Sequence, residues 1–135
     1  MMTLDEVAAF LDGLGGVTVG RRWDHHTWNV GERAVAWHRP FSKADIARFG
    51  DETPPQGDIL AVTVENLDAK DALLAMELPG FFTIPHFNGY AAVLIALRRA
   101  RKRDVRAAIA AAHADALARP PKKPVKRRPS APKKR

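Results

Sequence analysis

Apolar positions recur at helical spacing at the start of the chain and switch to alternation soon after it. Leu4, Val7, Ala8, Phe10 and Leu11 repeat every three to four residues, which predicts an amphipathic helix. Thr3-Leu4-Asp5-Glu6 is a capping box, in which the Thr3 hydroxyl accepts from a backbone N–H three residues on and Glu6 reaches back. The glycines between Gly13 and Gly16 stop that helix. Val17–Trp23 reads as a strand, weakened by Gly20-Arg21-Arg22. Thr27–Val30 and Ala34–His38 alternate on either side of Gly31-Glu32-Arg33, so they predict a hairpin with aromatic and β-branched side chains paired on one surface.

The second half repeats this vocabulary. Ser42-Lys43-Ala44-Asp45 offers another N-cap ahead of Ile46, Ala47 and Phe49, and Thr53–Gly57 reads as a loop. ILAVTVE, from Ile59 to Glu65, is the strongest strand pattern in the chain. Asn66 then opens a helix with Leu67, Leu73, Leu74 and Met76 as its stripe and Pro79-Gly80 as its end. Phe81–Ile84 and Ala91–Leu97 read as strands around the polar segment PHFNGY. Within it Pro85 suits a strand end, and Asn88-Gly89 fits the positive φ angles of a tight hairpin turn. Asp104–Ala118 is an alanine-rich helix with Val105, Ala108, Ile109, Ala112 and Ala116 on its inner face. The order predicts an α+β fold, with a largely antiparallel sheet and helices packed on one face.

Composition divides the chain in two. Residues 1–118 form one domain's worth of sequence, while 119–135 hold five of the ten prolines, nine Lys/Arg and no acid. That tail cannot bury enough surface to offset its ordering entropy, so disorder is expected there. Without the tail, 13 basic residues face 15 acidic ones, and Arg98, Arg99, Arg101, Lys102, Arg103 and Arg106 crowd one short segment. The +7 net charge is therefore an acidic body with a basic C-terminal end. Such asymmetry points to a polyanionic partner, DNA or alternatively RNA. Proline alternating with Lys/Arg pairs keeps the tail extended, which suits wrapping along phosphates more than reading bases.

Enzyme chemistry finds little support. There is no cysteine, which excludes a disulfide framework, a thiolate zinc site and a cysteine nucleophile. His25 and His26 are adjacent, so on a strand they point to opposite faces, and His38, His86 and His113 stand alone; no metal or cofactor is expected. Ser42 reads as a cap and Ser130 lies in the tail. No apolar run approaches the ~20 residues of a membrane helix, and no secretory signal pattern opens the chain, so a cytoplasmic protein without a membrane partner is expected.

GLGGVT, TWNVGERAVAW, ILAVTVENLDAKDALLAM and FFTIPHFNGYAAVLIAL together resemble, in order and spacing, the MmcQ/YjbR family of small bacterial proteins. The likeness covers about residues 3–118. It implies a compact CyaY-like fold, also called a double-wing arrangement, and a general DNA-binding label. Other branches of the family carry an Asn-Lys…His-Trp segment in place of Pro85–Tyr90, so contacts inferred from them do not transfer. The tail lies outside the family domain and resembles the Lys/Pro-rich tails of nucleoid-associated proteins.

The sequence thus nominates a non-enzymatic, sequence-tolerant DNA-binding protein of the nucleoid. Its phosphate contacts would be Arg98, Arg99, Arg101, Lys102 and Arg103, with Lys122, Lys123, Lys126, Arg127, Arg128, Lys133, Lys134 and Arg135 of the tail. The alternative is a small-ligand or protein-binding module, with a cleft formed by His25, His26, Trp28, His86, Asn88 and Tyr90. Trp23, Trp28, Trp37 and Tyr90 are candidates for base stacking, against the competing role of strand aromatics in the core.

Overall fold

The computed structural model describes residues 2–22, 25–51, 55 and 57–119. Its elements run α1 (Leu4–Asp12), β1 (Val17–Arg22), β2 (His25–Val30), β3 (Arg33–His38), α2 (Lys43–Arg48), β4 (Ile59–Thr63), α3 (Leu67–Ala75), β5 (Phe81–Phe82), β6 (Ala92–Ala96) and α4 (Lys102–Ala118). The N-caps of α1, α2 and α3 are those the sequence predicts, while α4 begins at Lys102, two residues ahead of the expected Asp104, with no side-chain cap bond from Arg101. Thr3 Oγ1 accepts from Glu6 N at 3.1 Å while Glu6 Oε1 accepts from Thr3 N at 2.9 Å. Ser42 and Asp45 form the same reciprocal pair ahead of α2, and Asn66 Oδ1 accepts from Ala69 N at 2.8 Å ahead of α3.

The six strands form one open sheet in the order β1-β2-β3-β4-β6-β5, and every neighbouring pair is antiparallel. Two residues separate β1 from β2, and a short turn at Gly31-Glu32 joins β2 to β3. From β4 the chain passes through α3 and returns as β5, with β6 inserted between them. This is an α+β fold with an antiparallel sheet.

Both faces of the sheet are covered. The three longer helices take one face, where Val7, Leu11, Val105 and Ile109 pack on Trp28, Leu60, Val62, Val93 and Ile95. Full burial of such side chains contributes roughly 1.5–3 kcal/mol each. The opposite face buries Ile59, Ala61, Leu94 and Ala96 under Phe41, Phe49, Ile84 and Phe87. These come from the region around α2 and from a 3-10 turn at Pro85–Phe87. A single alternating pattern in β4 and β6 cannot be seen because both faces are buried, as their all-apolar sequences require.

Three local expectations change. The segment between β5 and β6 is not a tight hairpin turn: Pro85–Phe87 form the 3-10 turn, Asn88 is right-handed helical at φ −57°, and Gly89 has no positive φ. Three residues of an open loop, each bonding three back, replace the two-residue turn. In α3 the stripe shifts: Leu67 and Met76 are 46% and 63% exposed, while Lys70 is buried. The helix also ends earlier, at Met76, because Glu77 turns left-handed at φ 52°. The basic tail, from residue 120 onward, lies outside the described residues, and so does its expected disorder.

Candidate functional site

The strand register sorts the chemically interesting residues to the two ends of the sheet. One end is basic. Arg22 pairs with His25 and Arg21 with His26, so the register of β1 and β2 places these four positions together at this end. β3 ends there at His38, and β6 exits there into Arg98, Arg99 and Arg101. At about 4.8 Å per strand, β1 to β6 spans roughly 19 Å, giving a row of Arg and His along one rim.

The rim is not uniformly available. Arg101 Nε donates to Asp104 Oδ2 at 2.9 Å, Arg103 lies 3.9 Å from the same carboxylate, and Lys102 Nζ donates to Glu6 Oε2 at 2.7 Å. Half of the RRARKR run thus serves the start of α4, where cations would otherwise oppose the helix dipole. Glu6 is held down to about 2 by the Lys102 ammonium and by the Thr3 backbone N–H. Arg98, Arg99 and Arg106 are exposed and have no ion-pair partner among the described residues. His38 Nε2 lies 3.2 Å from Asp58 Oδ1, and its ring meets His25 edge-on at 5.5 Å. Burial pushes the His38 imidazole down, Asp58 opposes this, and His25 adds to it. Among the described residues no three His, Asp or Glu gather as a metal site would require.

The other end carries a cleft of about 390 Å³. One sheet row explains its floor: Gly20, Thr27 and Trp37 stand side by side on one face of β1, β2 and β3, and the same row continues away from the cleft into Ala61, Leu94 and Phe82 of the second core. Small residues on β1 and β2 beside the indole of Trp37 leave a hollow. A β-bulge between Trp28 and Asn29 lies in the same stretch, an irregularity that re-aims side chains. Asn29, Arg33, Tyr90, Asp115 and Arg119 complete the wall around the end of the sheet.

Lys70 supports this wall from beneath. It is 3% exposed, and its Nζ donates to the carbonyls of Phe87 and of Tyr90, the latter at 2.8 Å. Burial pushes the ammonium below its ordinary value, with Asp71 opposing. The anchored loop places Phe87 and Tyr90 edge-to-face at 5.5 Å, and both rings lie within 6.4 Å of Trp37. Arg39 adds its guanidinium over Phe87 at 5.6 Å.

The cleft predicted from sequence therefore does not assemble as a unit. Tyr90 lines it, but His25 and His26 sit at the opposite end of the sheet, and Trp28 is 2% exposed in the core under the long helices. Thr27 and Asn29, their neighbours on the strand, face the cleft instead. Asn88 is exposed and does not line it, and the His86 side chain and Trp23 lie outside what is described. Trp37 was named from sequence only as a stacking candidate and Arg119 only as one of the nine Lys/Arg of residues 119–135, while Asn29 and Lys70 were not anticipated as site residues. Of these last two, Lys70 left a signal, a polar residue three positions from both Leu67 and Leu73 on the expected apolar stripe. Among the described residues, no helix is long and apolar enough to cross a membrane.

The fold and its two ends define a small α+β domain with a cation-rich rim, an aromatic cleft opposite it, and a basic extension. The chain is 42% identical over 108 residues to uncharacterized protein Rv2570 of Mycobacterium tuberculosis, a match covering 78% of this chain and 81% of that protein. Uncharacterized protein Mb2600 of Mycobacterium bovis matches to the same extent. The chain belongs to the family of these mycobacterial proteins. No family model and no solved structure matches it.

Proposed function

We propose that the protein binds nucleic acid without catalysing a reaction, DNA of the bacterial nucleoid being the foremost partner, through sequence-tolerant phosphate contacts. The observation that carries this reading is the separation of charge. Nine Lys/Arg without an acid follow Ala118, and Arg98, Arg99 and Arg106 stand exposed beside the His-containing rim of a body that is otherwise acidic. Concentrated like charge is costly in self-repulsion, and a polyanion relieves it. The likeness to the MmcQ/YjbR family adds a DNA-binding precedent. Arg101, Lys102 and Arg103 contribute less than their sequence implies, because Asp104 and Glu6 already engage them.

Salt-titrated binding to duplex DNA tests this. If all nine tail charges contact phosphates, the slope of log K against log salt approaches about −8, from about −0.9 per contact. Removing residues 119–135 then flattens most of it. A further loss of about two to three from Arg98, Arg99 and Arg106 changed together to Gln identifies the rim as the second contact. Unchanged salt dependence after both changes rules out phosphate binding by these residues.

A further inference from the structure

The phosphate contacts proposed above leave the aromatic cleft unused, yet it is built to receive a flat uncharged group. Its volume, about 390 Å³, falls in the roughly 300–1,000 Å³ range of small-ligand sites. Tyr90 stands at its rim, 53% exposed, with its ring 6.1 Å from that of Trp37. The backbone beneath that ring is fixed on three sides: Tyr90 N donates to Phe87 O at 3.0 Å, and its carbonyl accepts from Ala92 N and Lys70 Nζ, each at 2.8 Å. An exposed ring on a fixed backbone is pre-organised, so contact with it costs little further ordering.

The charges of the lining balance. Glu32 and Asp115 oppose Arg33 and Arg119, and Arg119 already lies 3.0 Å from Asp115 and donates to Glu65 O. A cleft of this balance has little pull on a phosphate. It offers two aromatic rings for stacking, and the Thr27 hydroxyl and Asn29 amide to meet polar edges. Arg119, which lines the cleft, is the first of the nine Lys/Arg in residues 119–135.

We propose that this cleft takes one unpaired base against Tyr90 and Trp37, which makes single-stranded nucleic acid the preferred partner. The proposal rests on the nucleic-acid reading and names the class of partner within it. A duplex keeps its bases stacked on one another and presents edges, whereas a single strand can lay the face of a base on an aromatic ring.

The test uses the full chain and three probes with equal numbers of phosphates: oligothymidylate, an abasic oligodeoxynucleotide, and a duplex. Fluorescence anisotropy is expected to give roughly tenfold tighter binding to oligothymidylate than to the abasic strand. Tyr90→Ala brings oligothymidylate down to the abasic level with the salt slope unchanged, and Tyr90→Phe keeps the preference. Because the Tyr90 side chain is largely exposed, the circular dichroism of both variants should match the parent. Equal affinity for the thymidylate and abasic strands, equal or tighter binding of the duplex, or indifference to Tyr90→Ala each overturns the stacking site while leaving phosphate binding intact. Absence of salt-sensitive binding to all three probes overturns both readings together.

Discussion

Lys70 is a charged side chain inside an otherwise apolar stripe. Its ammonium bonds two carbonyls, of Phe87 and Tyr90, each of which also accepts a backbone N–H. These bonds offset the cost of removing the charge from water, a balance that holds only while both acceptors stay in place. Lys70→Met keeps the volume and the apolar stem but leaves each carbonyl with one partner. Loss of a charge-assisted bond to a buried acceptor costs about 1–3 kcal/mol. The variant is expected to unfold at lower urea concentration, and amide exchange at Tyr90 and Ala92 should accelerate more than exchange in β4. Uniform acceleration across the sheet would mean that Lys70 stabilises the whole core instead of anchoring this loop.

At the scale of elements, two glycines next to the same pair of strands behave oppositely. Gly80 has φ +83°, and a Cβ there would lie 2.7 Å from Ala96 O and 2.9 Å from Ala100 N, both backbone atoms that cannot yield cheaply. Gly89 has no positive φ, and a Cβ would meet nothing within 4 Å. Gly80→Ala is therefore expected to lose at least about 1–3 kcal/mol from backbone strain alone, while Gly89→Ala stays within about 0.5 kcal/mol of the parent in urea unfolding. A large cost at Gly89 would restore the tight-turn reading of Asn88-Gly89. That reading failed for a physical reason. Asn-Gly is a strong hairpin signal only when flanking strands reach the turn, and here Phe87 drops into the second core, pulling Pro85–Phe87 into a 3-10 turn instead. Caps and alternation were legible because they depend on neighbours within four residues. The same holds for α4, whose inner face at Val105, Ile109 and Ala112 follows the periodicity. The cleft was not legible, since it depends on Gly20, Thr27 and Trp37 sharing a row, a matter of register between three strands.

For the whole molecule, the balance of charge and burial predicts a definite response to acid. His38 is held below its ordinary 6.5 chiefly by burial. An unfolded chain therefore takes up that proton at higher pH than the folded one, so acidification below about 6.5 favours unfolding. Glu6 sits at about 2 against an ordinary 4.5, and Asp45, despite burial that pushes it up, is held below 3.8 by Arg39 and Ser42. Carboxylates lowered in this way stabilise the fold above their ordinary values and lose that contribution as pH falls through the folded ones. All three groups act in the same direction, in two separate windows. The urea midpoint is expected to decline first between pH 7 and 5, and then more steeply below 4.5. His38→Gln should flatten the upper decline and leave the lower one, because a neutral amide can still bond Asp58 without taking up a proton. Glu6→Gln should flatten part of the lower decline only, through loss of the Lys102 pair that ties α1 to the start of α4. If the His38→Gln profile overlays that of the parent between pH 7 and 5, the upper window belongs to another group on the basic rim. Binding measured in that window would then report the charge of the rim with no contribution from His38-linked unfolding.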